Sequence, residues 1–141
     1  MNTAVMFSSA SDLWSTPQDF FDALDAEFHF TLDPCCTHEN AKCAKHYTKE
    51  ENGLALSWAN ETVFCNPPYG RELPKWVRKC YDESERATVV MLIPARTDTK
   101  WFHDYIYGKA EIRFVRGRLR FGKMTENAPF PSMVVVFRRQ T

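Results

Sequence analysis

The 141-residue chain lacks most of the features that assign a protein to a class at a glance. No apolar run approaches the ~20 residues of a membrane span, so no membrane partner is expected. Residues 1–11 show no charged region followed by an apolar core. That pattern excludes an ordinary secretory signal and leaves a short tail as the expectation. Neither Gly-x-Gly-x-x-Gly nor a Walker sequence occurs, so neither kind of phosphate-cradling loop is present. The five cysteines are odd in number and form no Cys-x-x-Cys pair. Without a signal they read as reduced cytoplasmic thiols rather than a disulfide framework. Internal repeats and low-complexity segments are missing too, and the formal net charge is zero.

What is present reads as one α/β domain over residues 1–141. Hydrophobic residues make up 44% and charged residues 26%, the balance of a globular chain with a real core. Eleven Phe, five Tyr and four Trp make it aromatic-rich. Charge is unevenly spread. Residues 1–66 hold three Lys/Arg against ten Asp/Glu, a balance of −7, and residues 109–141 hold eight against two, a balance of +6. A basic C-terminal face suits a polyanion such as DNA, although a solvated face has the same composition.

The chain is organised around Val63-Phe64-Cys65-Asn66-Pro67-Pro68-Tyr69-Gly70. Three apolar residues read as a buried strand, which two prolines stop. Proline has no N–H, fixes its own φ and holds the preceding residue extended. Asn66 is therefore expected on a rigid loop at the carboxyl end of a strand, where open α/β sheets bind ligands. Its amide, the carbonyls of Pro67 and Pro68 and the Tyr69 ring would make a slot for a planar group bearing an exocyclic amine.

Other elements follow from pattern. Thr16 reads as an N-cap and Pro17 as the first position of a helix carrying Phe20, Phe21, Leu24 and Phe28 at helical spacing. Phe28 to Leu32 alternates as a first strand and ends at Asp33-Pro34. A helix after Gly70 presents Leu73, Trp76, Val77, Cys80 and Tyr81 as one stripe. Ala87 to Pro94 is a near-continuous apolar strand, as in a buried parallel sheet. Thr97 could cap a helix over 98–107, which puts Arg96 on the same rim as Asn66. Glu111–Val115, Leu119–Phe121 and Met133–Phe137 read as strands, with a loop at 122–131 that either moves over the site or merely connects. Strands alternate with helices first and follow one another later, which predicts a mostly parallel sheet with antiparallel pairing at its C-terminal end.

Cys35, Cys36, His38, Cys43 and His46 could supply zinc ligands. Their spacing matches no standard finger, so buried thiols and surface histidines are expected and no metal. Glu50, Glu51 and Asn52 form a polar run that either meets a cofactor's ribose or adenine, or is simply solvated.

Asn66-Pro67-Pro68-Tyr69 resembles the (Asp/Asn/Ser)-Pro-Pro-(Tyr/Phe/Trp) motif of amino-group methyltransferases. Trp14-Ser15-Thr16-Pro17, Leu32-Asp33-Pro34-Cys35 and residues 113–121 extend the likeness over about residues 13–137. Together they resemble the phage-type DNA adenine-N-6 methyltransferase family. The resemblance implies a methyltransferase-like, Rossmann-like fold and methyl transfer from S-adenosylmethionine to the 6-amino group of adenine in DNA. It implies a cytoplasmic protein of phage or prophage origin. It implies catalytic roles for Asn66, Pro67, Pro68 and Tyr69, with Tyr69 stacking on a flipped base. Trp14, Thr16, Pro17, Asp33, Pro34 and Cys35 would then hold the cofactor, and Arg96, Arg113, Arg116, Arg118 and Arg120 would meet the DNA. The sequence departs from the usual family pattern at residues 35–40, where no glycine occurs. Alternatives are a methyltransferase acting on RNA or on a protein glutamine amide, and a nucleic-acid-binding module without catalysis.

Overall fold

A computed structural model describes residues 14–140, and the expected tail at 1–11 lies outside the described residues. The organising strand forms where the apolar triplet predicts it. Strand β1 (Thr62–Cys65) pairs in parallel with β2 (Thr88–Pro94), Thr62 opposite Thr88 and Cys65 opposite Met91. Strand β3 (Glu111–Phe114) and strand β4 (Ser132–Phe137) complete a sheet of order β1-β2-β4-β3. β4 runs antiparallel to both β2 and β3. The sheet is thus parallel on the side that carries Asn66 and antiparallel on the C-terminal side.

Two helices cover opposite faces of β1. Successive strand side chains point to opposite faces. Phe64 meets Phe21 of helix α1 (Gln18–Phe28), ring centroids 5.1 Å apart. Cys65, next along the strand, meets Cys80 of helix α2 (Leu73–Glu83) on the other side. Burial on both faces explains why β1 and β2 read as continuous apolar runs. Every residue from Val89 to Ile93 is fully buried. Burial of side chains of this size stabilises by roughly 1.5–3 kcal/mol each.

Several expected elements are shorter or absent. The strand expected over 28–32 does not form, because α1 runs on through Phe28. His29 ends the helix with φ 58°, its N–H donating to the Asp25 carbonyl, while the Phe30 N–H donates to Asp25 Oδ1 at 2.8 Å. Phe30 is drawn back onto Phe21 and Phe28, at 5.5 and 5.7 Å. Only Leu32 and Asp33 reach the sheet level, bridging Val63 and His46 in parallel. Asp33 still sits at a carboxyl end beside β1. Residues 119–121 form no strand. Their backbone bonds elsewhere, Leu119 O accepting from the Ala128 N–H at 2.8 Å.

The helix expected over 98–107 shrinks to a short helical stretch whose wide turn spans Phe102–Ile106. The Phe102 N–H is capped by Thr99 Oγ1 and not by Thr97. Thr16 is no helix cap either. Pro17 takes the N-cap position of α1 without a side-chain cap bond, which leaves the Thr16 hydroxyl for another partner. No helix among the described residues is long and apolar enough to cross a membrane.

Candidate active site

The carboxyl ends of β1 and β2, the start of β4 and the end of β3 share one rim of the sheet, because Pro94 pairs with Ser132 and Phe114 with Met133. Asn66 stands on this rim, 5% exposed. Its Nδ2 donates to the Trp14 carbonyl and to Thr16 Oγ1, both at 3.0 Å. Its Oδ1 accepts from the Tyr69 hydroxyl, which also lies 3.0 Å from the Leu92 carbonyl. Residues fifty positions apart are thereby tied through one amide.

The sequence reading treats the Tyr69 ring as an open stacking surface. The structure places it elsewhere. Tyr69 is 1% exposed and is packed by Trp14, Phe121 and Phe130 at 6.0, 6.0 and 5.7 Å. Phe130 stacks on Trp14 at 5.5 Å, and the Gly122 N–H donates to the Ser15 carbonyl at 2.8 Å. The 122–131 loop, left open by the sequence, therefore closes over the slot together with residues 14–16. Phe121 and Phe130 are site residues that sequence reasoning missed. Their only signal was one aromatic just before an irregular loop and another near its end.

Asp33 lies next to this cluster and is 4% exposed. Its Oδ2 accepts from the Lys42 N–H at 3.0 Å and its Oδ1 from the Cys35 N–H at 3.3 Å. Burial pushes its carboxyl up to about 6, and the bonds from Lys42 and Cys35 pull down without offsetting that. A small cleft opens here, lined by Ser15, Thr16, Asp33, Cys35, Asn40 and Asn66 among others. It holds about 10 Å³, room for roughly one water molecule. Ser15, Asn40 and Lys42 were not singled out in the sequence. Asn40 Nδ2 donates to Ser15 Oγ at 3.1 Å, which joins the 35–40 loop to the N-terminal segment.

Just before that loop, the Pro34 turn is met closely by a glycine from elsewhere in the chain. A Cβ built on Gly53 would lie 2.2 Å from the Pro34 carbonyl oxygen. Gly53→Ala is expected to lower stability by about 1–3 kcal/mol, the range for overpacking. Urea midpoints of the two proteins measure this, and an unchanged midpoint would show that the Pro34 turn yields freely.

The acidic run is used locally. The Thr48 hydroxyl lies 2.8 and 2.9 Å from Glu50 Oε2 and Glu51 Oε2 and shares its one proton between them, and the Asn52 side chain accepts from the Leu54 N–H. None of the three lines the cleft. His38 Nδ1 and His46 Nε2 are 2.9 Å apart, and His46 Nδ1 faces two backbone carbonyls. Among the described residues no group of three or more His, Cys, Asp or Glu is placed to hold a metal ion. All five cysteines are free, and burial pushes the Cys43 thiol up to about 12.

The arginines divide. Arg113 is held by Glu27 through two bonds of 2.7 Å and also by Glu111, over the Phe28 ring. It is committed to joining β3 to α1 and is not displayed for a phosphate. Arg96 donates to the Tyr69 carbonyl at 3.3 Å and so braces the loop behind Asn66. Arg116, Arg118 and Arg120 are exposed and follow the rim end of β3. Phe114, 66% exposed, stands beside them. A wider cleft lined by Tyr81, Lys109, Phe137 and Arg138 lies at the opposite end of the sheet, away from Asn66.

An amide is thus held at the end of a buried strand beside a buried carboxylate. A family profile described as DNA N-6-adenine-methyltransferase (Dam) matches residues 4–141. The chain belongs to this family. A DNA N-6-adenine-methyltransferase of Haemophilus phage HP1 (strain HP1c1) is 33% identical over 139 residues, covering 92% of this chain and 80% of the relative. Another, of Escherichia phage T1, is 35% identical over 111 residues, covering 77% of this chain and 46% of the relative. The Dam-family match includes Asn66 to Tyr69, Asp33 and the 14–17 segment within its bounds.

Proposed function

We propose that this Dam-family chain transfers a methyl group from S-adenosylmethionine to the 6-amino group of adenine in DNA, on a methyltransferase-like, Rossmann-like sheet. The observation that carries the reading is Asn66, fixed at the carboxyl end of β1 with its two ends held by different partners. The cleft beside it carries polar groups of the kind such a cofactor uses, and with room for about one water it must widen to admit one. A buried carboxylate, two hydroxyls and an amide suit a ligand rich in hydroxyl and ammonium groups. Asp33, Pro34, Cys35, Trp14 and Pro17 would hold it, with Ser15 and Asn40 added by the geometry. When bound, the cofactor supplies an electrophilic methyl on a sulfonium.

The chain's own residues then position the acceptor. Asn66 Oδ1 and the Pro67 carbonyl accept hydrogen bonds from the adenine amine and orient its nitrogen, and Pro68 keeps the loop rigid. Positioning of this kind is worth several orders of magnitude in rate. A base inside a duplex cannot reach such a buried slot and must be flipped out. Entry also requires exchange, because the Tyr69 hydroxyl occupies the Asn66 oxygen and aromatic rings cover the ring of Tyr69. Tyr69 becomes a stacking partner for the base only after Phe130 or Trp14 yields. The enzyme acts on DNA in the host cytoplasm, and no metal takes part.

Arg116, Arg118 and Arg120 supply the phosphate contacts. Arg116→Ala and Arg118→Ala are expected to weaken DNA binding across sequences and to reduce the slope of log affinity against log salt by about 1 each. Arg113→Ala should lower the unfolding midpoint and leave that slope nearly unchanged. Fluorescence anisotropy over a salt series separates the two classes. Incubation of the protein with labelled S-adenosylmethionine and, separately, DNA, RNA and protein tests the whole reading. Label on adenine N-6 in DNA is expected. Label in RNA or on glutamine would reassign the substrate, and no label anywhere would leave a binding module.

A further inference from the structure

We propose that Ser132 contacts the target base: once adenine is flipped into the site, the buried Ser132 hydroxyl donates a hydrogen bond to one of its ring nitrogens. The proposal rests on the reading of Asn66 as the group that receives the adenine amine. Ser132 opens β4 and is 1% exposed. Its Oγ is enclosed and has no hydrogen-bond partner among the described residues. A buried hydroxyl without a partner destabilises a fold, and an alanine at the same place carries no such cost. The backbone around it is engaged. The Ser132 carbonyl accepts from the Val115 N–H at 3.1 Å, and the Pro131 carbonyl accepts from the Ala95 N–H at 2.9 Å. The side-chain oxygen is left over.

The sheet register puts this hydroxyl on the same face as Asn66. Phe64 is opposite Val90, and Val90 is opposite Val136. Residues opposite one another share a face, and a step of two residues keeps to it. Asn66 lies two residues past Phe64 and is held extended by Pro67. Ser132 lies four residues before Val136, opposite Pro94. Both side chains therefore stand on the face that α1 covers, where Phe64 meets Phe21. Strands β1 and β4 are two strand spacings apart, about 10 Å. A purine with a hydrogen bond of about 3 Å at each end bridges a similar gap.

The order of groups along the rim fits this placement. Asp33 and the small cleft lie beside β1, on the side away from β2. Asn66 follows at the end of β1, Ser132 stands two strands on, and Arg116, Arg118 and Arg120 come after β3. A base swung from DNA held by those arginines toward Asn66 lies over the ends of β2 and β4. The rings that must yield to it, Phe130 and Trp14, lie outside β4. The strand's backbone bonds keep Ser132 in place while they move. The ring nitrogens of adenine, other than the glycosidic one, are acceptors, and the serine hydroxyl supplies the donor. A hydroxyl accepts as readily as it donates, so Ser132 places the base and does not choose it.

The adenine that the wild type methylates is first located in labelled DNA. Oligonucleotides then carry adenine, 1-deazaadenine, 3-deazaadenine or 7-deazaadenine at that position, each analogue lacking one ring nitrogen. Full-length wild type and Ser132→Ala are compared for kcat/KM on adenine, and for affinity to all four DNAs with S-adenosylhomocysteine present. Ser132→Ala is expected to lower both quantities on adenine on the order of 10-fold. Its loss of affinity should vanish on one analogue, where the wild type has already lost the same bond. The urea midpoint should hold or rise, and the thermal shift caused by S-adenosylhomocysteine should be kept. Wild-type kcat/KM in Ser132→Ala overturns the proposal, and so does an equal loss of affinity on all four DNAs. A lowered midpoint overturns it because the hydroxyl then serves the fold. A lost thermal shift overturns it by moving Ser132 to the cofactor site. In each of these cases the reading of Asn66 stands. If the wild type methylates no adenine, that reading fails and the proposal falls with it.

Discussion

Asn66→Ala is expected to reduce DNA methylation by on the order of 100-fold or more, while binding of S-adenosylhomocysteine persists. The substitution removes the oxygen that receives the target amine, so the amine is no longer oriented. It leaves Asp33 and its backbone donors in place. The sequence suggests that Asn66, on a loop before proline, is dispensable to the core. The structure says otherwise. Loss of the amide strips a donor from the Trp14 carbonyl and from Thr16, and both are buried. Each orphaned group costs about 1–3 kcal/mol unless water reaches it. Asn66→Ala should therefore also melt several degrees lower, and its activity must be read at a temperature where it stays folded. Steady-state rates with a parallel ligand-induced melting shift make the measurement. Wild-type turnover in the folded variant would remove Asn66 from the mechanism.

Replacement of Asp33 is expected to be nearly as damaging, through the cofactor site. S-adenosylhomocysteine stabilises only the state that binds it. Asp33→Ala should abolish most of its thermal shift. The pH dependence carries the sharper signature. Burial raises the Asp33 carboxyl from 3.8 to about 6 in the folded chain. The folded state thus holds a proton that the unfolded state releases. The stability linked to this group is fully present below about pH 4 and is lost as pH rises through about 6. The loss amounts to about 3 kcal/mol, taking ~1.4 kcal/mol for each unit. Asp33→Asn should lack this decline between pH 4 and 6. In the wild type, ligand binding should strengthen over the same interval as the carboxylate forms. Urea unfolding of wild type and Asp33→Asn across pH 4–8 tests this. Parallel curves would show that Asp33 is hydrated or neutralised in the folded protein.

The parts legible in the sequence are those whose causes are local. Val63 to Cys65 followed by two prolines must end a buried strand, because proline cannot continue a ladder and the triplet offers no polar face. The stripe from Leu73 to Cys80 must bury one side of a helix, since helical spacing places those residues together. From these local rules came the position of Asn66 on the rim, the helix after it and the strand beside it. The basic C-terminal stretch at 109–141 was equally visible, because charge is read directly.

What only the tertiary structure decided are the partners. No local rule says that Thr16 will decline to cap α1 and meet Asn66 fifty residues on, or that Glu27 will take Arg113 out of the basic face. No spacing shows that Gly53 must be small because Pro34 passes over it. Nor does any pattern show that Phe121 and Phe130 enclose Tyr69. Hydrogen bonds and ion pairs are satisfied by whichever group the packing brings within about 3 Å. That choice belongs to the folded chain, in which burial makes each unpaired group costly enough to find a partner far away in sequence.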